Sequence, residues 1–253
     1  MTAKLLFLAC LCLAIPHGRA EELSVAAAAD LTYCLPDLNA AFKKMHPDAV
    51  VKVSNGSSGN FFAQIRNGAP FDIFLSADMN YPRELIKAGL ADEANLVQYA
   101  VGRIVLWTTD PKIDLSRGLS VLRDAALVKK LAIANPDHAP YGRAAKAALE
   151  HENLWSEVKS RVVYGENIAQ TAQFVETGNA QAGMVALSLV KSPRLEKVGR
   201  YYEIPTDIYP ALEQGAVLLK QGARNPLPKQ YLEFLRSAEA RQIFDRYGFA
   251  LAK

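Results

Sequence analysis

At 253 residues, half of them hydrophobic, the chain is long enough for one large core or two modest ones. Its 29 basic and 26 acidic residues are too evenly balanced to point to nucleic acid or an anionic membrane surface as a partner. Three cysteines, two of them at positions 10 and 12, exclude a disulfide scaffold.

Residues 1–20 read as a secretory signal peptide. Lys4 gives a positive start, Leu5 to Ile15 is almost wholly apolar, and Gly18-Arg19-Ala20 offers small residues at a cleavage spacing. Acylation of Cys10 or Cys12, which would make a lipoprotein, requires an unusually short apolar region. Removing the signal takes Lys4 and Arg19 away and leaves 27 basic against 26 acidic residues, a charge of +1, with Cys34 as the sole thiol. No later segment is long and apolar enough for a transmembrane helix, so the expected product is exported and soluble, stabilised by core burial.

From there strands and helices alternate, the pattern of parallel α/β sheets. Leu23–Ala28 reads as a strand, about 32–46 as a helix with Pro36 near its start, and Val50–Ser54 as a strand. Asn60–Asn67 is a helix stopped by Gly68, and Asp72–Ser76 a strand. Asn80-Tyr81-Pro82 reads as a cap and early proline opening the next helix. Val97–Thr108 is a long apolar, β-rich run ending at Asp110-Pro111, and Ala211–Leu219 is a similar run. Between them lie a strand at Leu131–Ala134, a helix over Gly142–His151, a strand near Arg161–Val163, a helix over Ile168–Thr177 and a strand at Ala182–Val185. Two final helices cover Pro228–Arg236 and Glu239–Tyr247. Long strands bracketing an α/β insertion predict an α/β fold of two lobes joined by a two-strand hinge, with mixed sheets flanked by helices. Residues 23–101 plus 207–253 form lobe I and 102–206 lobe II.

Four strand-to-helix junctions stand out: Ala28-Ala29-Asp30-Leu31-Thr32, Gly56-Ser57-Ser58-Gly59, Ala139-Pro140-Tyr141-Gly142 and Gly165-Glu166-Asn167-Ile168. Free N–H groups and the positive end of the helix dipole favour anions at such places. Ligands of open α/β sheets sit beyond the carboxyl ends of the strands, which sets two junctions of each lobe across one cleft. No Gly-x-Ser-x-Gly elbow, metal spacing or Ser-His-Asp set accompanies them, so a binding protein rather than an enzyme is expected. Ser57, Ser58 and Asn167 also suit plain N-caps, His138 a satisfied loop histidine, Cys34 a buried apolar residue and Tyr201-Tyr202 strand positions.

The strings Val25-Ala26-Ala27-Ala28-Ala29, Gly68-Ala69-Pro70-Phe71-Asp72, Ser76-Ala77-Asp78, Asn135-Pro136-Asp137-His138-Ala139-Pro140-Tyr141-Gly142, Gly165-Glu166-Asn167-Ile168 and Arg246-Tyr247-Gly248-Phe249 occur in fixed order. In these the chain resembles the periplasmic molybdate-binding proteins of ABC importers, a type II solute-binding family, over nearly its whole length beyond residue 20. The resemblance implies a monomer in the periplasm that takes molybdate or tungstate as a naked tetrahedral oxyanion, without cofactor or metal cation, and hands it to a membrane permease. It sets ligand contacts at Asp30, Ser58, Tyr141, Ile168 and Ala186, with Ser57 and Asn167 beside them. Ile168 would contribute its backbone N–H. Ala186 stands where many members have a tyrosine donor, and Tyr141, where those have a small residue, could restore it. Asp30 stands where serine or asparagine is usual, and a carboxylate repels a dianion. Three arrangements resolve this: Asp30 caps its own helix and turns away, the arrangement favoured because Asp caps well; it is protonated and donates; or it accepts from a protonated oxyanion such as hydrogen phosphate, the alternative ligand.

Overall fold

The computed structural model describes residues 21–251. The signal-peptide reading of residues 1–20 lies outside them. In chain order the elements are β1 (Glu21–Ala28), α1 (Leu35–Met45), β2 (Ala49–Gly56), α2 (Ser58–Arg66), β3 (Ile73–Ser76), α3 (Asn80–Lys87), β4 (Ala91–Gly102) and β5 (Ile104–Thr108). Next come β6 (Leu131–Ala134), α4 (Pro140–His151), α5 (Trp155–Val158), β7 (Val162–Gly165), α6 (Ile168–Glu176), β8 (Ala182–Ala186), α7 (Leu187–Val190) and β9 (Arg200–Glu203). The chain closes with β10 (Leu212–Leu219), α8 (Pro226–Leu235), α9 (Ala238–Arg246) and β11 (Ala250–Leu251). Short 3-10 turns cover Ala29–Leu31, Leu115–Arg123, Lys159–Arg161 and Lys220–Arg224.

The strands form two mixed sheets flanked by helices. The first has the order β11-β4-β10-β3-β1-β2, and the second β7-β6-β8-β5-β9. In the first, β1 runs parallel to β2 and β3, while β10 is antiparallel to β3 and β4. In the second, β6 is parallel to β7 and β8, and β5 is antiparallel to β8 and β9. Helices cover both faces of the sheet's centre, so β3 and the inner parts of β1 and β10 are mostly apolar, whereas the edge strand β2 alternates buried and exposed residues. Val25, Ala27, Ile73, Leu75, Ala216 and Leu218 join one core with Phe42, Tyr231 and Phe244 from α1, α8 and α9. Their period-2 neighbours Ala26, Phe74, Val217 and Leu219 face the opposite way, onto Phe61, Ile65 and Leu85 of α2 and α3.

Helix α1 docks through Leu35, Leu38, Ala41 and Phe42, a stripe at helical spacing. Fully buried Phe42 stacks edge-on to Tyr231 at 4.9 Å, and burial of such a ring contributes about 1.5–3 kcal/mol. Cys34 is buried just before it. Gly68, at φ +89°, turns the chain after α2 in the left-handed conformation that glycine allows without cost.

Three expectations are corrected. The run Val97–Thr108 is not one strand: Arg103 interrupts it, β4 joining the first sheet and β5 the second. Asn80 does not cap α3 but is its first residue, and Asp78 Oδ1 accepts the Asn80 N–H at 2.8 Å in its place. The first helix begins at Leu35, because residues 29–31 wind as a 3-10 turn first.

Candidate oxyanion site

The four junctions meet. Ala28, Ala29 and Asp30 at the end of β1, Gly56, Ser57 and Ser58 at the end of β2, Ala77 beyond β3, Ala139–Tyr141 beyond β6, and Asn167 with Ile168 beyond β7 line one narrow cavity. Every wall is the carboxyl end of a parallel strand, where the following chain turns its N–H groups inward. All six sequence-derived candidates, Asp30, Ser57, Ser58, Tyr141, Asn167 and Ile168, are in this lining. Ala186 is not; it is fully buried, pairs with Ile104 and leads into α7.

Which donors are already used follows from the helix starts. In α2, Ser57 Oγ caps the Asn60 N–H at 3.3 Å and the Gly59 N–H goes to the His138 carbonyl at 2.9 Å. In α6, Asn167 Oδ1 takes the N–H groups of Ala169 and Gln170, each at 3.0 Å. Pro140 brings no N–H to the start of α4, and Gly142 and Arg143 donate to the Ala139 carbonyl. Helix geometry leaves the Ser58, Tyr141 and Ile168 N–H groups without an intrahelical acceptor, all three at the cavity wall. Ser58 Oγ accepts the Ala77 N–H at 2.9 Å, which orients the hydroxyl and leaves its hydrogen to donate. Ser57 and Asn167 thus act as caps, as their plain reading had it.

Asp30 does not turn away. It lies inside the 3-10 turn, 1% exposed, and its Oδ2 accepts the Tyr141 hydroxyl at 2.9 Å. The hydroxyl hydrogen of Tyr141 is therefore committed to Asp30. Burial pushes the Asp30 carboxyl up to about 7, against the lowering influence of Tyr141 first and then of nearby N–H groups and Gln214. Burial together with the neighbouring Asp30 also drives the Tyr141 hydroxyl well above its ordinary range, so it remains a neutral donor.

Sequence reasoning missed Gly102, Gln214 and Tyr99, which back this pair. Tyr99 donates to Gln214 Oε1 at 3.1 Å, and a Cβ on Gly102 would overlap the Tyr141 hydroxyl. A glycine interrupting a long apolar strand was the one available signal.

Around the cavity the units built on the two sheets are stitched together. Arg143 donates to Asp78 Oδ2 at 2.5 Å and to the Tyr81 hydroxyl at 3.1 Å. His138 Nδ1 lies 3.0 Å from Ser57 Oγ, Asn60 donates to Glu166, and Ser188 Oγ donates to the Asp30 carbonyl at 2.7 Å. His138 and Glu166 are rim residues here, outside the cavity lining.

The sequence pattern of the family described as bacterial extracellular solute-binding protein matches residues 23–250. The chain belongs to that family. This solute-binding protein is 39% identical to the molybdate-binding protein ModA of Azotobacter vinelandii, over 92% of each chain. It is 37% identical to the ModA of Rhodobacter capsulatus, over 94% of this chain and 91% of that one. The solved structure of the Azotobacter vinelandii periplasmic molybdate-binding protein superimposes with a TM-score of 0.85 at 31% identity, covering 91% of this chain and all of that one. The mixed α/β architecture is that of the periplasmic binding proteins. No helix among the described residues is long and apolar enough to cross a membrane.

Proposed function

We propose that this solute-binding protein captures molybdate, with tungstate as its close analogue, and presents it to the permease of an ABC importer. The observation that carries the reading is the cavity lining. Neutral donors from three of the four junctions converge there, and no Lys, Arg or His side chain is among the lining residues. Such a cage suits a fully deprotonated tetrahedral oxyanion. Its charge is dispersed over backbone N–H groups and a serine hydroxyl, each bond to a charged acceptor contributing about 1.5–3 kcal/mol. The near-complete coverage of relatives named for molybdate binding supports the same ligand.

On this reading Ser58, Tyr141 and Ile168 donate through their backbone, and Ser58 also through its hydroxyl. Ser57 and Asn167 shape the helix starts, and Asp30 contacts the ligand from the β1 side. Residues 23–101 with 207–253 act as one lobe and 102–206 as the other. The chain crosses between them at Gly102–Arg103 and again between Glu203 and Leu212. Opening at these crossings admits the ligand, and the Arg143, His138 and Asn60 contacts close over it. The protein works as an exported monomer in the periplasm, binding its ligand without turnover.

Isothermal titration of the protein with molybdate, tungstate, sulfate and phosphate tests the reading. Tight 1:1 binding of molybdate and tungstate, with sulfate far weaker because it is smaller, is expected. Equal affinity for sulfate and molybdate, or no binding of either, defeats it.

A further inference from the structure

One group in the lining conflicts with an anionic guest. Asp30 is buried, its Oδ2 holds the Tyr141 hydroxyl hydrogen, and its Oδ1 is buried with no hydrogen-bond partner. Among the described residues it is the one such orphaned side-chain atom. An ionised carboxylate in this position would need a donor or a cation at Oδ1 as well.

None faces it. Tyr141 approaches from α4, Gln214 from β10, Tyr99 from β4 and Cys34 from the segment before α1, all neutral. From α7, Ser188 bonds the Asp30 carbonyl rather than the carboxyl. On the β2 and α6 sides stand Gly56, Ser57, Ser58, Asn167 and Ile168. The ionisable rim residues His138 and Glu166 are engaged with Ser57 and Asn60 instead.

Resting on the oxyanion reading above, we propose that Asp30 is the proton-carrying, specificity-determining donor of the site. Its Oδ1 holds a proton and gives that hydrogen to an oxygen of the bound dianion, while Oδ2 stays the acceptor for Tyr141. The proton is not transferred: it comes from solvent, remains on Oδ1 and is shared as a hydrogen bond. A carboxyl pushed up to about 7 by burial is already part-protonated near neutrality, and a dianion beside it holds the proton more tightly. The arrangement discriminates by protonation state. A fully deprotonated oxyanion meets a donor at Oδ1, whereas one carrying its own hydrogen would set two hydrogens between the same pair of oxygens.

Proton bookkeeping makes this measurable. Below about pH 7 the hydrogen is in place before the ligand arrives, and above it each capture takes up close to one proton. Calorimetric titration of the protein with molybdate in buffers of different ionisation enthalpy reads that number directly. Near-zero uptake is expected at about pH 6 and close to one proton at about pH 8.5, with Kd nearly flat up to about pH 7 and rising towards tenfold per pH unit above it. Asp30→Asn supplies an amide N–H in place of the O–H. It is expected to bind molybdate within roughly tenfold of the unmodified protein at about pH 6, and to lose both the proton uptake and the pH slope.

Molybdate binding that is flat across this range without proton uptake overturns the proposal while leaving the oxyanion reading intact. So does tight binding of hydrogen phosphate that Asp30→Asn abolishes, because the carboxylate is then the acceptor. Absence of molybdate binding at every pH removes the oxyanion reading itself, and the proposal with it.

Discussion

Gly102, the last residue of β4, lies against the hydroxyl of Tyr141 at the start of α4, so that the chain crossing between the sheets abuts the cavity wall. A side chain at Gly102 would overlap that hydroxyl and stand 2.8 Å from Gln214 Nε2. Tyr141 could make room only by swinging off Asp30. Gly102→Ala is therefore expected to cost about 1–3 kcal/mol of stability through overpacking. It is also expected to weaken molybdate binding by roughly tenfold as the Tyr141–Asp30 bond is lost. Thermal unfolding and titration calorimetry on the same preparation check the pair of effects, and a variant that matches the unmodified protein in both would show that the contact relaxes freely.

The raised Asp30 carboxyl also makes stability depend on pH before any ligand binds. Its value rises from 3.8 to about 7 on folding, so the folded form holds the proton more tightly than the unfolded chain. The sign follows: this group's contribution is fully present below about pH 4 and is lost as pH rises through about 7, to a total of roughly 4 kcal/mol. Other carboxyl groups titrate in the acid range, so the difference between the protein and Asp30→Asn isolates the effect. Denaturant unfolding without ligand should show Asp30→Asn gaining relative stability steadily from pH 4 to 8. A constant difference would place the Asp30 carboxyl at its ordinary value.

Much of this site was legible because its signals are local. A strand run ending in small and polar residues ahead of a helical pattern marks each junction, and the Leu131–Ala134 strand was read to its bounds. Ser57 and Asn167 were legible as caps for the same reason, since a cap is decided within three residues of itself. What escaped depends on distant partners. The direction of the Asp30 side chain is set by a hydroxyl 111 residues away, and its capping alternative was locally as sound. The break at Arg103 escaped because apolar, β-rich residues continue on both sides. Only the choice of partner, β10 for β4 and β8 for β5, divides the run between two sheets. Gln214 and Tyr99 left no pattern at all, since their role is to satisfy each other behind a group that sequence could not orient.

Arg143 joins the two sides of the cavity mouth through Asp78 and Tyr81. Its side chain is 38% exposed and that of Asp78 20%, so the ion pair contributes only about 1 kcal/mol. On the proposed reading these contacts hold the mouth shut over the ligand, so their loss is expected to act on release more than on capture. Arg143→Ala is expected to speed molybdate dissociation roughly 3- to 10-fold while changing association by less than about twofold. Stopped-flow fluorescence separates the two rates, and an effect confined to association would assign Arg143 to steering the anion rather than to holding the mouth shut.

Ser58 and Ile168 separate side-chain from backbone binding. The Ser58 hydroxyl holds the buried Ala77 N–H at 2.9 Å and has one hydrogen left for the ligand. Ser58→Ala orphans that N–H, at about 1–3 kcal/mol of stability, and removes a donor to a charged acceptor, at roughly tenfold or more in Kd. Ile168 offers the first N–H of α6, while its side chain, 4% exposed, packs in the second-sheet core. Ile168→Val keeps the N–H and removes one methylene, which should cost about 0.5–1.5 kcal/mol of stability yet leave Kd within about twofold. Calorimetry and thermal unfolding on both variants give the comparison. Because Ile168→Val loses stability as well, a fall in its affinity comparable to that of Ser58→Ala would mean that the α6 wall recognises the ligand through shape, not through its main-chain donor.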